Sequence, residues 1–223
     1  MRKTLGKTLG KAVVEVLEKA YPDAGITLDF TTPFELLVAT ILAAQCTDER
    51  VNRVTRGLFA KYRSPDDYLR VPSEELEADI HPTGFYRNKT RSIRGMSSAL
   101  VERFDGRVPD DLDSLTSLPG VGRKTANIVL GNAFGQQAIA VDTHVGRVST
   151  RLGFAPPGDP DRIEAALREL VPRENWTLFT HLLVFHGRRC CRSKTPRCGE
   201  CPLFKVCAWE EKEAFTAEGP RSR

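Results

Sequence analysis

Apolar residues recur along this chain at the three-and-four spacing of helices, and no segment sustains the alternation of a half-buried strand. Val13, Val14, Leu17 and Ala20 predict a short amphipathic helix within residues 9–20, stopped by Tyr21-Pro22-Asp23. Thr32-Pro33-Phe34-Glu35 reads as a capping box with proline at the first helical position. It opens the very apolar run Leu36 to Ala44, which predicts a central, buried helix. Gln45-Cys46-Thr47-Asp48 ends that helix and holds a polar glutamine at an interhelical corner. Thr47 can cap the next helix, whose apolar face is Val51, Val54, Leu58 and Phe59. Ser64-Pro65-Asp66-Asp67 and Ser73-Glu74-Glu75-Leu76 start two short helices. Past the loop His81-Pro82-Thr83-Gly84, a longer helix shows one face of Ile93, Met96, Leu100 and Phe104 and carries Arg87, Lys89, Arg91 and Arg94.

After the break Asp105-Gly106-Arg107-Val108-Pro109, a brief helix with Leu112, Leu115 and Leu118 leads into Leu118-Pro119-Gly120-Val121-Gly122-Arg123-Lys124-Thr125-Ala126. The helix that follows runs through Ile128, Val129, Leu130 and Ala133 to Gly135. Asp142-Thr143 and Asp159-Pro160-Asp161 start two more, with apolar faces at Val145 and Val148, then Ile163, Ala166, Leu167 and Leu170. The run Trp176 to Phe185 is again helical in length and pattern. The predicted fold class is all-α.

Composition narrows this picture only a little. A chain of 223 residues with 40% hydrophobic content can bury a real core. A net charge of +4 is compatible with a polyanionic partner without requiring one. No stretch is apolar for long enough to span a bilayer, and Met1-Arg2-Lys3 leads into no signal-peptide core, so a cytoplasmic location and no membrane partner are expected. Five of the six cysteines crowd between Cys190 and Cys207, which favours metal ligation over crosslinking.

Three stretches carry candidate chemistry. In the glycine turn, Gly120 and Gly122 permit several backbone N–H groups to share one surface, where a phosphate can sit. Lys124 falls in the first turn of the next helix, where the dipole and Arg123 both disfavour a charged ammonium, and a neutral amine can attack carbon. The plainer alternative is a turn that only joins two packed helices. Asp142 has an equally plain alternative as an ordinary N-cap. The cysteine spacing Cys191, Cys198, Cys201, Cys207 suits a cubane cluster in one compact loop, with zinc as the other option and Cys190 able to replace Cys191.

Taken together and in this order, the glycine turn with Lys124, the stretch Val141-Asp142-Thr143-His144 and the cysteine loop resemble the endonuclease III family of helix-hairpin-helix DNA glycosylases with an iron–sulfur cluster. The likeness runs from about Phe34 to Trp209. It implies a two-lobed helical fold: a six-helix domain at residues 26–136 containing the hairpin, and a discontinuous iron–sulfur cluster domain at 1–25 and 137–223. It selects Cys191, Cys198, Cys201 and Cys207 as ligands of one [4Fe-4S] cluster, with Cys190 a spectator and no role for Cys46. It makes Lys124 the nucleophile, and Asp142 the carboxylate that stabilises charge on the sugar. Gly120, Val121, Gly122 and Arg123 would grip backbone phosphates, and Lys194 lies in a basic loop that in the family faces phosphate. Gln45 and Phe85 match positions that plug and wedge the gap left by a flipped base, although an aliphatic residue is expected where Phe85 stands. For either residue, as for His144, packing is the alternative.

The resemblance implies a bifunctional DNA glycosylase and AP lyase that removes oxidised pyrimidines in base excision repair. Its partner is double-stranded DNA with damaged bases or abasic sites, and it acts as a monomer associated with the nucleoid. A monofunctional mismatch glycosylase and a non-catalytic DNA-binding or redox-sensing protein are the rivals; Lys124 argues against the first, and its pairing with Asp142 against the second.

Overall fold

Among the described residues, 2–216, the computed structural model contains eleven α-helices, short 3-10 turns and no strand. The first helix, α1, spans Arg2–Ala20 and so begins ahead of residue 9, where the apolar pattern starts. Two compact units divide the chain: Thr27–Gln136, and Met1–Ile26 together with Gln137–Arg223.

The Thr27–Gln136 unit runs through α2 (Pro33–Leu42), α3 (Asp48–Lys61), α4 (Pro65–Arg70), α5 (Ser73–Ile80), α6 (Tyr86–Phe104), α7 (Leu112–Thr116) and α8 (Arg123–Ala133). Counting the single-turn α7 makes seven helices in this unit rather than six. Its centre is α2: Leu36, Leu37, Val38, Ala39 and Leu42 are wholly buried beneath α3, α6 and α8. Each leucine buried there contributes about 1.5–3 kcal/mol over exposure. Local signals place the helix ends. Thr32 Oγ1 accepts from Glu35 N at 3.1 Å, but the Glu35 carboxylate reaches back to the Thr31 amide and hydroxyl, one residue beyond a strict capping box. At α4 the box of Ser64 and Asp67 is complete.

In the other unit, α1 packs on α10 (Pro160–Leu170) and α11 (Trp176–Arg189), with α9 (Thr143–Arg151) against both of these. One core joins Val13, Val14 and Leu17 to Ile139, Val145, Val148, Ile163, Leu167, Phe179 and Leu182. A Cβ on Gly10 would fall 2.2 Å from the Leu170 carbonyl oxygen, so only glycine lets α1 lie this close to the end of α10. After α11 the chain continues in short 3-10 turns through the cysteine loop. No described helix is long and apolar enough to cross a membrane.

Candidate functional site

The glycine turn links α7 to α8 by a type II β-turn: Val121 N donates to Leu118 O at 3.1 Å, with Pro119 and Gly120 (φ 78°) at its centre. Glycine is required at position 120 twice over. The positive φ disfavours any side chain, and a Cβ would stand 2.8 Å from Ser92 Cβ on α6. The Val121 N–H closes the turn and its side chain is buried. Gly122 is the N-cap of α8, and Lys124 is exposed at its second position, in the first turn as the sequence reading expects.

On the same unit the interhelical corners of Gln45 and Phe85 line one groove of about 330 Å³ with Thr40, Ser92, Gly120 and Thr125. Both residues adopt left-handed backbone, at φ 54° and 48°, at a cost of order 1–2 kcal/mol each for side chains other than glycine. Phe85 is 63% exposed, an unusual position for a large aromatic ring. Of the five basic residues on α6, two are structural rather than a solvated face. Lys89 is buried, and Arg94 donates to the carbonyls of Tyr68, Leu69 and Val71 at the end of α4.

Asp142, in the other unit, is the N-cap of α9: its Oδ1 accepts from Val145 N at 2.7 Å. This fixes the orientation of a half-buried carboxylate. Beside it, His144 Nδ1 lies 3.2 Å from Arg147 Nη2, and burial pushes the imidazole below its ordinary pKa. Arg147 and Arg151, one turn apart on α9, were invisible as functional residues in the sequence. Arg147 donates to the carbonyls of Gly187 and Cys191. Arg151 donates to Cys191 Sγ and to the carbonyls of Arg192 and Ser193, with its guanidinium 3.9 Å from the ring centre of Trp209.

All six cysteines are free of disulfides. Cys191, Cys198, Cys201 and Cys207 line one small cavity, together with Cys190 and His186. The donor atoms that come within 4.8 Å of one another are those of His186, Cys190 and Cys201, a different grouping from the four cysteines of the sequence pattern. His186 is engaged by Tyr21 Oη at 3.0 Å on Nδ1 and faces Cys201 Sγ at 3.7 Å with Nε2. The Cys190 thiol sits 3.5 Å from Arg197 O, and its hydrogen bond to Cys201 raises its pKa strongly, whereas the same bond and His186 hold Cys201 down at about 4. The sulfur-rich wall, edged by Arg151 and Lys212 and with no carboxylate among its lining residues, fits an anionic metal–sulfur centre. Lys194 is exposed on the loop between the first two cysteines, and Arg197 of that loop pairs with Glu200 at 2.6 Å.

The sequence profile of the HhH-GPD superfamily of base excision DNA repair proteins matches residues 38–173. Endonuclease III of Bacillus subtilis (strain 168) is 51% identical over 193 residues, which cover 86% of this chain and 88% of the relative. Endonuclease III of Escherichia coli (strain K12) is 41% identical over 196 residues, 88% of this chain and 93% of the relative. A solved structure of a trapped endonuclease III–DNA covalent intermediate, an estranged-adenine complex, superposes with a TM-score of 0.87 at 47% identity, covering 93% of this chain and 98% of its own. A thermostable thymine-DNA glycosylase at 24% identity shares the fold, with a TM-score of 0.80 over 91% of this chain and 96% of its own.

Proposed function

The chain belongs to the endonuclease III family within the HhH-GPD superfamily of base excision DNA repair proteins, and from that premise we propose that Lys124 makes it a bifunctional DNA glycosylase and AP lyase acting on oxidised pyrimidines. The observation that carries this reading is an exposed amine at the second position of α8, directly after a turn built to approach a phosphate. Lys124 Nζ attacks C1′ of the deoxyribose while the bond to the damaged base breaks. Transfer of a proton from that nitrogen to O4′ opens the sugar ring at the C1′–O4′ bond, and the resulting Schiff base acidifies the C2′ proton. Loss of that proton expels the phosphate from C3′, and hydrolysis then returns the lysine. Asp142, its carboxylate aimed by the cap to Val145, stabilises the positive charge that builds on the sugar as the base departs.

Gly120, Gly122 and Arg123 position the backbone without reading sequence, with Lys194 as a further phosphate contact. Gln45 and Phe85 occupy the space that the extruded base leaves and hold the flanking pairs apart. Cys191, Cys198, Cys201 and Cys207 hold one [4Fe-4S] cluster, which pins the basic loop in shape when bound. The protein works as a cytoplasmic monomer on nucleoid DNA. The trapped endonuclease III–DNA covalent intermediate supports a covalent enzyme–DNA intermediate in this chain too.

Borohydride reduces a Schiff base to a stable amine, so the test is a covalent complex with duplex DNA containing an abasic site. Wild-type protein forms it, and Lys124→Gln binds the same duplex yet forms none and leaves the strand uncut. Adduct from Lys124→Gln at the wild-type rate would assign the nucleophile to another amine.

A further inference from the structure

The two corners that carry Gln45 and Phe85 hold conformations that their own side chains do not favour, so something around them must fix both. Beneath them lies Lys89 of α6, 4% exposed. Its Nζ donates to Leu42 O at 2.8 Å and to Thr83 O at 2.7 Å. Leu42 is the last residue of α2, just before the Gln45 corner, and Thr83 closes the 3-10 turn His81–Thr83 just before Phe85. One buried ammonium therefore binds the two corner backbones to each other. Its burial disfavours the charge, so this is a costly tie to keep unless the corners need it.

We propose that Lys89 is a positioning residue: by holding the Leu42 and Thr83 carbonyls at once, it sets the Gln45 and Phe85 corners in one register, so that both side chains enter a distorted duplex as a preformed pair. This rests on the reading of the protein as a base-excising enzyme. Two independently mobile corners would each lose conformational freedom on binding a lesion; tied corners have lost it already in folding. The advantage appears only where a base is displaced. Undamaged duplex, held through phosphates, gains nothing from the tie.

Lys89→Met keeps the length and packing of the side chain and removes its donors. The probes are a duplex with a tetrahydrofuran abasic analogue and the same duplex undamaged. Lys89→Met should weaken binding to the first about tenfold and leave the second within about twofold, as expected for loss of preorganisation alone. A double-mutant cycle reads the tie directly. Gln45→Ala and Phe85→Ala should couple by about fivefold on the abasic duplex in the Lys89 background, and act independently in the Lys89→Met background. Fluorescence of 2-aminopurine opposite the abasic analogue should rise less on binding the Lys89→Met variant, reporting poorer insertion. Equal losses on both duplexes, or a coupling that survives Lys89→Met, would overturn the proposal. If Lys89→Met does not fold, the wild-type background still decides, because independent effects of Gln45→Ala and Phe85→Ala there rule out a shared register. A wild-type protein with no preference for the abasic duplex would sink the functional reading and the tie with it; a preference whose coupling ignores Lys89 would sink the tie alone.

Discussion

Arg151 Nη1 donates to Cys191 Sγ at 3.4 Å, which gives the first cysteine of the loop a cationic partner from a helix forty residues earlier. The same guanidinium donates to the carbonyls of Arg192 and Ser193 and rests on Trp209. Charged hydrogen bonds of this kind contribute about 1.5–3 kcal/mol each, so Arg151→Met should cost at least about 2 kcal/mol in chemical denaturation of the holoprotein. Wild-type protein, purified anaerobically, should carry four iron and four sulfide per chain if the cluster assignment holds. Arg151→Met should lose them to a chelator faster. Stoichiometric zinc without iron would reject the cluster, and unchanged denaturation would reject the structural role of Arg151.

The cap formed by Asp142 and the charge role proposed for it can be separated, because asparagine caps helices as well as aspartate does but carries no charge. Asp142→Asn should leave stability within about 0.5 kcal/mol and slow single-turnover base release by at least about a hundredfold. Asp142→Ala should lose the bond to Val145 N as well, at about 1 kcal/mol. Base release by Asp142→Asn at the wild-type rate would reduce this residue to a cap.

Gly120→Ala tests the turn. The added Cβ meets Ser92 at 2.8 Å on a backbone with φ 78°, so a loss of about 1–3 kcal/mol in thermal or denaturant unfolding is expected. Affinity for damaged and undamaged duplex should fall by the same factor, because the phosphate contacts proposed for the turn are common to both. A selective loss on damaged DNA would place Gly120 in lesion recognition instead.

Tyr68 is fully buried between Phe34 and Tyr62, and its hydroxyl has no hydrogen-bond partner among the described residues. Tyr68→Phe should therefore stabilise the fold, by up to about 1–2 kcal/mol. Burial, with nearby carboxylates adding to it, raises the Tyr68 pKa far above 10.0 in the folded state. The sign follows: the folded hydroxyl keeps its proton while the unfolded one loses it, so stability present below pH 10 is lost as pH rises further. The advantage of Tyr68→Phe should then grow by about 1.4 kcal/mol per pH unit above 10. Denaturation curves at pH 8 and 11 that show one constant difference would refute this.

What the sequence reveals here is set by the range over which its causes act. Helix starts at Ser64, Asp142 and Asp159 are visible because each cap bonds an amide two or three residues ahead. The glycine turn is visible because Pro119 and Gly120 carry the turn geometry in their own covalent structure. Lys89 is not, because a lysine among Arg87, Arg91 and Arg94 has the look of a solvated face until Leu42 and Thr83 arrive from elsewhere in the chain. The backbone of Gln45 and Phe85 is hidden for a similar reason: neither residue type announces a positive φ. Arg147 and Arg151 show the same limit, since their partners follow some forty residues later.

The packing of Val13, Val14 and Leu17 against Ile163, Leu167 and Phe179 also sets a timetable. A growing polypeptide exposes the apolar stripe of α1 before its partners, which come only after the whole Thr27–Gln136 unit has emerged. At about 5–20 residues per second, that stripe waits roughly ten seconds or more beside the ribosome with nothing to cover it. The Thr27–Gln136 unit can finish folding in that interval, and α1 docks only once α10 and α11 have been made.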